Sequence, residues 1–257
     1  MQNIYVENLS KKITDEEFDL IIGSNQLLIN EFCNKWDKEI PKIVPWTKDV
    51  KTDEKDWIMY LLDESSQGNN ILAYHTQKSN AQVYGEVIVS NILRNGGCII
   101  NPKDSIVKDD KPDKIYDFKE QRRFQQISSV ASALSHEIME TIIDPSCTIL
   151  WLSNKTNVIF CAEVCDMVQE NNVVVHYKGV DIYLSDFVCP SWLESYNTLG
   201  PFNYRRTLNA PFTLDKGGYA IVYSNINSTT ILGKKAKNIS RRMKMRGICE
   251  HKSCIIM

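Results

Sequence analysis

The chain has 257 residues, of which 43% are hydrophobic, and its formal net charge is only −2. A chain of this length and composition can bury a full hydrophobic core without help from disulfides. No run of about 18 apolar residues occurs, which excludes a membrane-spanning helix, and the polar N-terminus lacks the apolar core of a secretory signal. We therefore expect a cytoplasmic protein that is not secreted, whose eight cysteines are mostly structural thiols.

The first 60 residues predict an N-terminal helical extension. Apolar residues at helical spacing, such as Phe18, Leu28 and Phe32, indicate a helix over residues 15–40. A charged loop marked by prolines follows this helix. We expect the extension to precede a main domain that spans residues 61–232.

Strands are predicted next, over residues 71–74 and 82–92. The second segment reads as a strand because Val83, Val87 and Val89 alternate with other residues. A glycine turn follows it.

One long helix is predicted over residues 121–143, because apolar residues recur there at steps of three and four. These apolar residues are Phe124, Ile127, Val130, Ala131, Leu134, Ile138 and Ile142. His136 and Glu140 fall on the opposite side, next to small residues that leave space for a cleft. Proline disfavours helical geometry in the residue before it, so Pro145 is expected to end the helix.

The run HEIME at residues 136–140 is typical of the metal-binding helix of a zinc peptidase, with glutamate in place of the second histidine of HExxH. Side chains four residues apart share a helix face, so His136 and Glu140 can bind one zinc ion together. Glu137, one step around the helix, could then act as a general base on a metal-bound water. The alternative is an ordinary amphipathic helix whose solvent-exposed face happens to carry His and Glu.

A hairpin and a last strand follow the helix. Residues 173–177 and 180–184 flank a turn at Lys178 and Gly179, and residues 219–223 form the final predicted strand. Strands combined with one long helix favour an α+β fold.

Six sequence blocks occur in a characteristic order: LAYH (72–75), YGEVIVSNILRNGG (84–97), SHEIMETIIDP (135–145), AEVCDMV (162–168), SDFVCPSWL (185–193) and APFTLDKGGYAIV (210–222). In this respect the chain resembles a family of zinc-dependent metallopeptidase-like proteins. The resemblance implies a zincin-like domain with a mixed sheet and a long metal-binding helix. Met167 and Leu193 stand where the family tends to have proline and phenylalanine, and neither departure removes an expected ligand.

The resemblance to peptidases of the thermolysin type also suggests the remaining site residues. In those enzymes a glutamate beyond the helix is the third zinc ligand, and an aspartate soon after it orients a ligating histidine. Glu163 and Asp166 are similar in type and order, so Glu163 is expected as the third ligand and Asp166 as the orienting residue. The two roles could be exchanged, and two ordinary surface acids are the alternative.

His75 belongs to the first matched block and could reach the cleft as an outer-sphere residue or a transition-state donor. A histidine with a purely structural role is the alternative. In zincins the strand before the active helix offers its edge to an extended substrate, and residues 84–92 are expected to do so here.

The tail, residues 233–257, is basic and ends in a C-a-a-X box. It carries eight basic residues against a single acid, and Cys254 stands fourth from the end before a terminal methionine. This pattern predicts farnesylation of Cys254, and a lipid chain with a basic run would hold the protein on a cytosolic membrane face. Nucleic acid is not expected as a partner, because no aromatic residues are interleaved with the basic ones. A chance cysteine at this position is the alternative.

These features predict a zinc-dependent hydrolase, most simply a peptidase, that associates peripherally with a membrane. Zinc bound by His136, Glu140 and Glu163 would activate a water molecule, which would attack an amide of a peptide or protein substrate. Glu137 would take the proton. The alternative is a non-catalytic structural protein, associated with a membrane or a particle, in which the metal stabilises the fold.

Overall fold

The computed structural model has an α+β fold, as the mixture of predicted strands and helices indicates. Within the part of the chain that it describes, the elements are four α-helices and twelve β-strands, which form three sheets. The described residues are 2–47, 49–50, 52–53, 55–65, 71–102, 106, 108–124, 126–153, 157–194, 198–224 and 227–232.

The first sheet has five strands and mixes parallel with antiparallel pairs. Its strands are β1 (Asn3–Asn8), β2 (Lys42–Pro45), β3 (Trp57–Leu62), β4 (Ala73–Gln77) and β5 (Val83–Ile88). Their order in the sheet is β2-β1-β3-β5-β4. Only β4 runs antiparallel to its neighbour, and the other pairs are parallel. Helix α1 (Asp15–Trp36) makes the crossover between the parallel strands β1 and β2.

The first 60 residues are therefore built into this sheet, and the predicted boundary near residue 60 runs through it. α1 begins with a capping box between Thr14 and Glu17. It ends at Trp36 and not at residue 40, because Asp37 adopts a left-handed conformation with φ 50° and donates its backbone N–H to Cys33 O.

The segment over residues 82–92 is not the single strand that the alternation predicted. β5 ends at Ile88, and residues 89–94 form a short helix, α2 (Val89–Arg94). β5 also lies between β3 and β4, so its backbone is paired on both sides and cannot accept an extended substrate. Among the described residues, the edge of this sheet on that side is β4.

The single helix predicted over residues 121–143 is two helices. A short α3 (Phe118–Gln121) is followed, after an irregular segment, by α4 (Val130–Ile143). The interruption has a tertiary cause, because the backbone N–H of Ile127 donates to Asn172 Oδ1 at 2.7 Å and is not available to a helix. Ile127 and Phe124 then pack on a small cluster of their own, which consists of Tyr116, Val174 and Tyr183.

α4 begins where Ser129 caps it. The Ser129 Oγ accepts from Ser132 N at 2.8 Å, and the same hydroxyl donates to Tyr183 O at 2.7 Å. One side chain thus satisfies the helix terminus and attaches it to a strand. The helix ends at Ile143, with Asp144 as its C-cap, as Pro145 predicted.

The remaining strands form two smaller sheets. They are β6 (Lys114–Ile115), β7 (Leu150–Ser153), β8 (Val158–Cys161), β9 (Asn172–Tyr177), β10 (Val180–Ser185), β11 (Tyr219–Ser224) and β12 (Asn227–Leu232). The sheet orders are β10-β9-β6 and β12-β11-β8-β7. The predicted hairpin at Lys178 and Gly179 is confirmed, and both residues have the positive φ of a tight turn. α4 packs against α1, β4, β5 and β10, which places it at the centre of the fold.

The predicted basic tail, including Cys254, lies outside the described residues. Across the described part, none of the helices combines the length and the hydrophobicity that a transmembrane span requires.

The double role of Ser129 gives a stability prediction. Ser129→Ala removes the cap of α4 and the donor to Tyr183 O, so we expect it to lower the free energy of unfolding by about 2 kcal/mol. Thr14→Ala removes only the exposed cap of α1 and should lower it by about 1 kcal/mol. Urea unfolding of both variants measures the difference. Equal losses would show that the bond to Tyr183 O contributes nothing.

Candidate metal centre

The last two turns of α4 carry His136, Glu137 and Glu140 into the interior. Their exposed fractions are only 8%, 6% and 1%. This side of α4 is covered by other elements. The alternative interpretation, an ordinary amphipathic helix with His and Glu on its solvent-exposed face, therefore does not apply to these residues. Ionisable groups are buried in proteins only when partners compensate the lost hydration.

Two carboxylates meet the same ring nitrogen of His136. His136 Nε2 lies 3.2 Å from Glu140 Oε1 and 3.4 Å from Asp166 Oδ1. Glu140 reaches this nitrogen because it is one helical turn further along α4. Asp166 comes from a separate segment, at the start of a 3₁₀ turn that spans Asp166–Val168.

The segment that carries Asp166 is fixed by contacts on two sides. Val188 N donates to Val164 O at 2.8 Å, which attaches the loop after β10 to this segment. On the other side Gly218 approaches so closely that a Cβ there would collide with the carbonyl of Met167. A glycine is required at 218 for this reason, and the position of the 3₁₀ turn depends on it.

Asp166 and Glu163 occupy different places relative to His136. Asp166 contacts the nitrogen that Glu140 also contacts, which is where a shared metal ion would bind. An orienting carboxylate would instead contact the other ring nitrogen. Glu163 is half-buried near Glu140, His75 and Asp144. Burial has the largest effect on the pKa of each of these three groups, and the charge of Glu163 adds a smaller upward shift to each pKa.

Cys165 is a site residue that the sequence interpretation missed, because it was grouped with the structural thiols. Candidate ligand atoms of His136, Glu140 and Cys165 all lie within 4.8 Å of one another, and all three residues are buried. The Cys165 thiol donates to His136 O at 3.8 Å, and Cys165 N donates to Glu140 Oε1 at 3.4 Å. The signal was present in the sequence, since Cys165 stands between the two acids already assigned to the site.

His75 contacts the proposed general base and not His136. Its Nδ1 lies 3.0 Å from Glu137 Oε2, and its Nε2 lies 3.2 Å from Asp144 O. His75, Glu137 and Glu140 form a second group whose ligand atoms lie within 4.8 Å of one another. Because both ring nitrogens of His75 already have partners, its position suits the orientation of Glu137 better than metal binding.

The pKa values reflect the crowding of buried acids. Burial raises the pKa of Glu140, His136 lowers it, and Glu163 and Asp166 raise it again, with a net value of about 8. Burial lowers the pKa of His136, but Glu140 and Asp166 outweigh this effect and raise it well above the usual range. Burial also raises the pKa of Cys165. In the metal-free protein this cluster as a whole therefore retains protons around neutral pH.

A divalent cation fits this cluster. It could replace the retained protons, and its charge would compensate the buried carboxylates. Imidazole, carboxylate and thiol donors converge on one side of α4, and this donor set suits a transition metal ion. The buried His, Glu and Cys groups could thus hold a metal ion.

Comparisons with protein-family models, with curated proteins and with solved structures find no match to this chain.

The raised pKa of Glu140 predicts a pH-dependent stability that metal should remove. Its folded-state pKa of about 8 lies above its unfolded value, so the stability from this proton is present at low pH and is lost as the pH rises through about 8. The raised pKa of His136 likewise makes the stability fall as the pH rises. The metal-free protein should therefore melt at a lower temperature at about pH 9 than at about pH 7, and saturating Zn²⁺ should reduce the difference.

Scanning calorimetry with chelator or Zn²⁺ measures this effect. Glu140→Gln cannot ionise, so it should lose both the pH dependence near 8 and the stabilisation by Zn²⁺. Glu170→Gln changes an exposed carboxylate nearby and should keep both. The explanation fails if the two variants behave alike.

Proposed function

We propose that this chain is a zinc-dependent hydrolase, a peptidase with a zincin-like domain. The proposal rests on the contacts of Glu140 and Asp166 with the same nitrogen, His136 Nε2. Glu137 lies beside them and is held by His75. The five-stranded mixed sheet and the buried helix α4 packed against β4 and β5 support the domain type.

In this proposal His136, Glu140 and Asp166 bind zinc, and Glu163 is an outer carboxylate. The exchange of roles between Glu163 and Asp166 follows from the contacts of Asp166 with His136 Nε2. When bound, zinc would lower the pKa of a water molecule and polarise a substrate carbonyl. Cys165 lies close enough to serve as a further donor.

Glu137 acts as the general base in the proposed reaction. It stands one step around the helix from His136, so its carboxylate is directed to the same region without being a ligand. His75 Nδ1 holds Glu137 Oε2 at 3.0 Å and thereby fixes the carboxylate. Glu137 takes the proton of the attacking water and delivers it to the leaving amine.

The proposed substrate is an extended peptide that pairs with β4. Among the described residues, β4 has β5 as its only strand neighbour, so its other side is the edge of the sheet. β4 contains His75 and packs against α4, which places this edge next to the metal centre. Backbone pairing would present successive peptide bonds to the site.

A second candidate is a non-catalytic protein in which the metal holds the fold together. The observation that favours it is the near-complete burial of Glu140, at 1% exposure, and of Glu137, at 6%. Structural metal sites are closed, whereas catalytic sites keep a position for water and substrate. Association with a cytosolic membrane through Cys254 stays a prediction from the sequence, because that residue lies outside the described part.

The roles of the ligands predict different zinc affinities for two variants. Asp166→Asn removes a proposed ligand and should weaken zinc binding by about 100-fold or more, whereas Glu163→Gln removes an outer carboxylate and should weaken it by about 10-fold. Titration against a fluorescent zinc chelator measures both. A larger loss of zinc affinity in Glu163→Gln than in Asp166→Asn would show that Glu163 is the third ligand.

The role of Glu137 predicts a variant that binds zinc but does not react. Glu137→Gln should keep stoichiometric zinc and lose peptide hydrolysis by about 10²–10⁴-fold, because an amide cannot take the proton. Metal analysis and a fluorogenic peptide library measure the two properties. His136→Ala should lose both, and His176→Ala, which changes a buried histidine elsewhere, should keep both.

Hydrolysis by Glu137→Gln at the wild-type rate would contradict the general-base role. A wild-type protein that binds zinc and cleaves no peptide would favour the non-catalytic candidate.

A further inference from the structure

Cys147 lies in the loop that leaves α4 and has an unusual neighbour. Its Sγ is 3.3 Å from His75 Nε2 and 3.7 Å from His75 O. The residue is half-buried, so its thiol is closer to solvent than most described cysteines. The fully buried ones are Cys33, Cys98, Cys165 and Cys189.

The imidazole ring of His75 connects Cys147 to the carboxylate of Glu137. His75 Nε2 contacts both Cys147 Sγ at 3.3 Å and Asp144 O at 3.2 Å, and His75 Nδ1 contacts Glu137, so the imidazole connects the thiol with the carboxylate. In such an arrangement the carboxylate favours the protonated imidazole, and the positive ring stabilises a thiolate. Thiolates, and not thiols, are the form that reacts with electrophiles.

The backbone holds the thiol in this place. Cys147 has φ 54°, a left-handed conformation that is uncommon for a residue with a side chain, and its N–H donates to Asp144 O at 3.1 Å. The Asp144 carboxylate then accepts from Thr148 N at 2.9 Å and from Ile149 N at 2.8 Å. The loop is thus fixed on both sides of Cys147.

We propose that Cys147 is a reactive thiol that forms mixed disulfides with small-molecule disulfides of the glutathione type. The Cys147 thiolate attacks one sulfur of oxidised glutathione, a new S–S bond forms, and the original S–S bond breaks. One glutathione leaves as a thiolate and takes up a proton from water. The disulfide reagent is the oxidant, so no other electron acceptor is needed.

Exposure of the full-length protein to oxidised glutathione tests this site. Peptide mass spectrometry gives the rate at each cysteine, and we expect Cys147 to react about 10-fold or more faster than Cys161, which is also half-buried. A rate at Cys147 no higher than that at Cys161 overturns the proposal.

Two variants test whether His75 and Glu137 activate the thiol. His75→Gln should slow the reaction of Cys147 about 10-fold. Glu137→Gln keeps the size of the side chain, removes the charge that supports the imidazolium, and should also slow it. His176→Gln, a change at a distant buried histidine, should have no effect. Unchanged rates in folded Glu137→Gln protein would exclude the proposed activation, even if His75→Gln does not fold.

Glutathionylation of Cys147 should also lower the activity of the proposed active site. This expectation rests on the proposed function. The bulk of a glutathionyl group on Cys147 would push against His75 and so disturb the position of Glu137, whereas the small side chain of Cys147→Ala would not. We expect oxidised glutathione to suppress peptide hydrolysis in the wild type, with zinc content unchanged and with recovery after reduction. Cys147→Ala should hydrolyse peptides normally and should resist the reagent.

The outcomes separate the two proposals. Full activity of the glutathionylated wild type overturns the link from Cys147 to the active site. A complete lack of hydrolysis before treatment contradicts the proposed function, and the rates at Cys147 and Cys161 still decide whether the thiol is reactive.

Discussion

The burial of several carboxylates beside histidines on one side of α4 is the constraint on which the rest of the structure depends. His136, Glu140 and Asp166 are each less than 10% exposed, and groups of this kind lose several kcal/mol of hydration when they are buried. Burial, together with the charges of Glu163 and Asp166, raises the pKa of Glu140 to about 8. Protons reduce the repulsion in the metal-free protein, and a divalent cation would reduce it further.

The surrounding elements are arranged so that this cluster keeps its shape. Ser129 attaches the start of α4 to β10, and Gly218 allows β11 to approach the turn that carries Asp166. His75 links the edge strand β4 to Glu137, and through its other nitrogen it contacts the loop that contains Cys147. One buried imidazole thus connects the proposed substrate edge, the proposed general base and the proposed reactive thiol.

Local sequence patterns determined a large part of this arrangement. Helical periodicity places His136, Glu137 and Glu140 on one side of α4, and Pro145 ends that helix, because both effects act within a few residues. The turn at Lys178 and Gly179 is equally local, since the turn type requires positive φ. Such features need no knowledge of distant contacts, and the α+β class follows from their combination.

Only the tertiary structure decided the features that depend on distant partners. α4 starts after Ser129 because Ile127 N is taken by Asn172, a residue 45 positions away, which no helical periodicity could reveal. β4 and not β5 is the edge because strand order is set by pairing across the sheet. The contacts of Asp166 with His136 likewise form between separate segments, and spacing along the chain does not measure a distance through space.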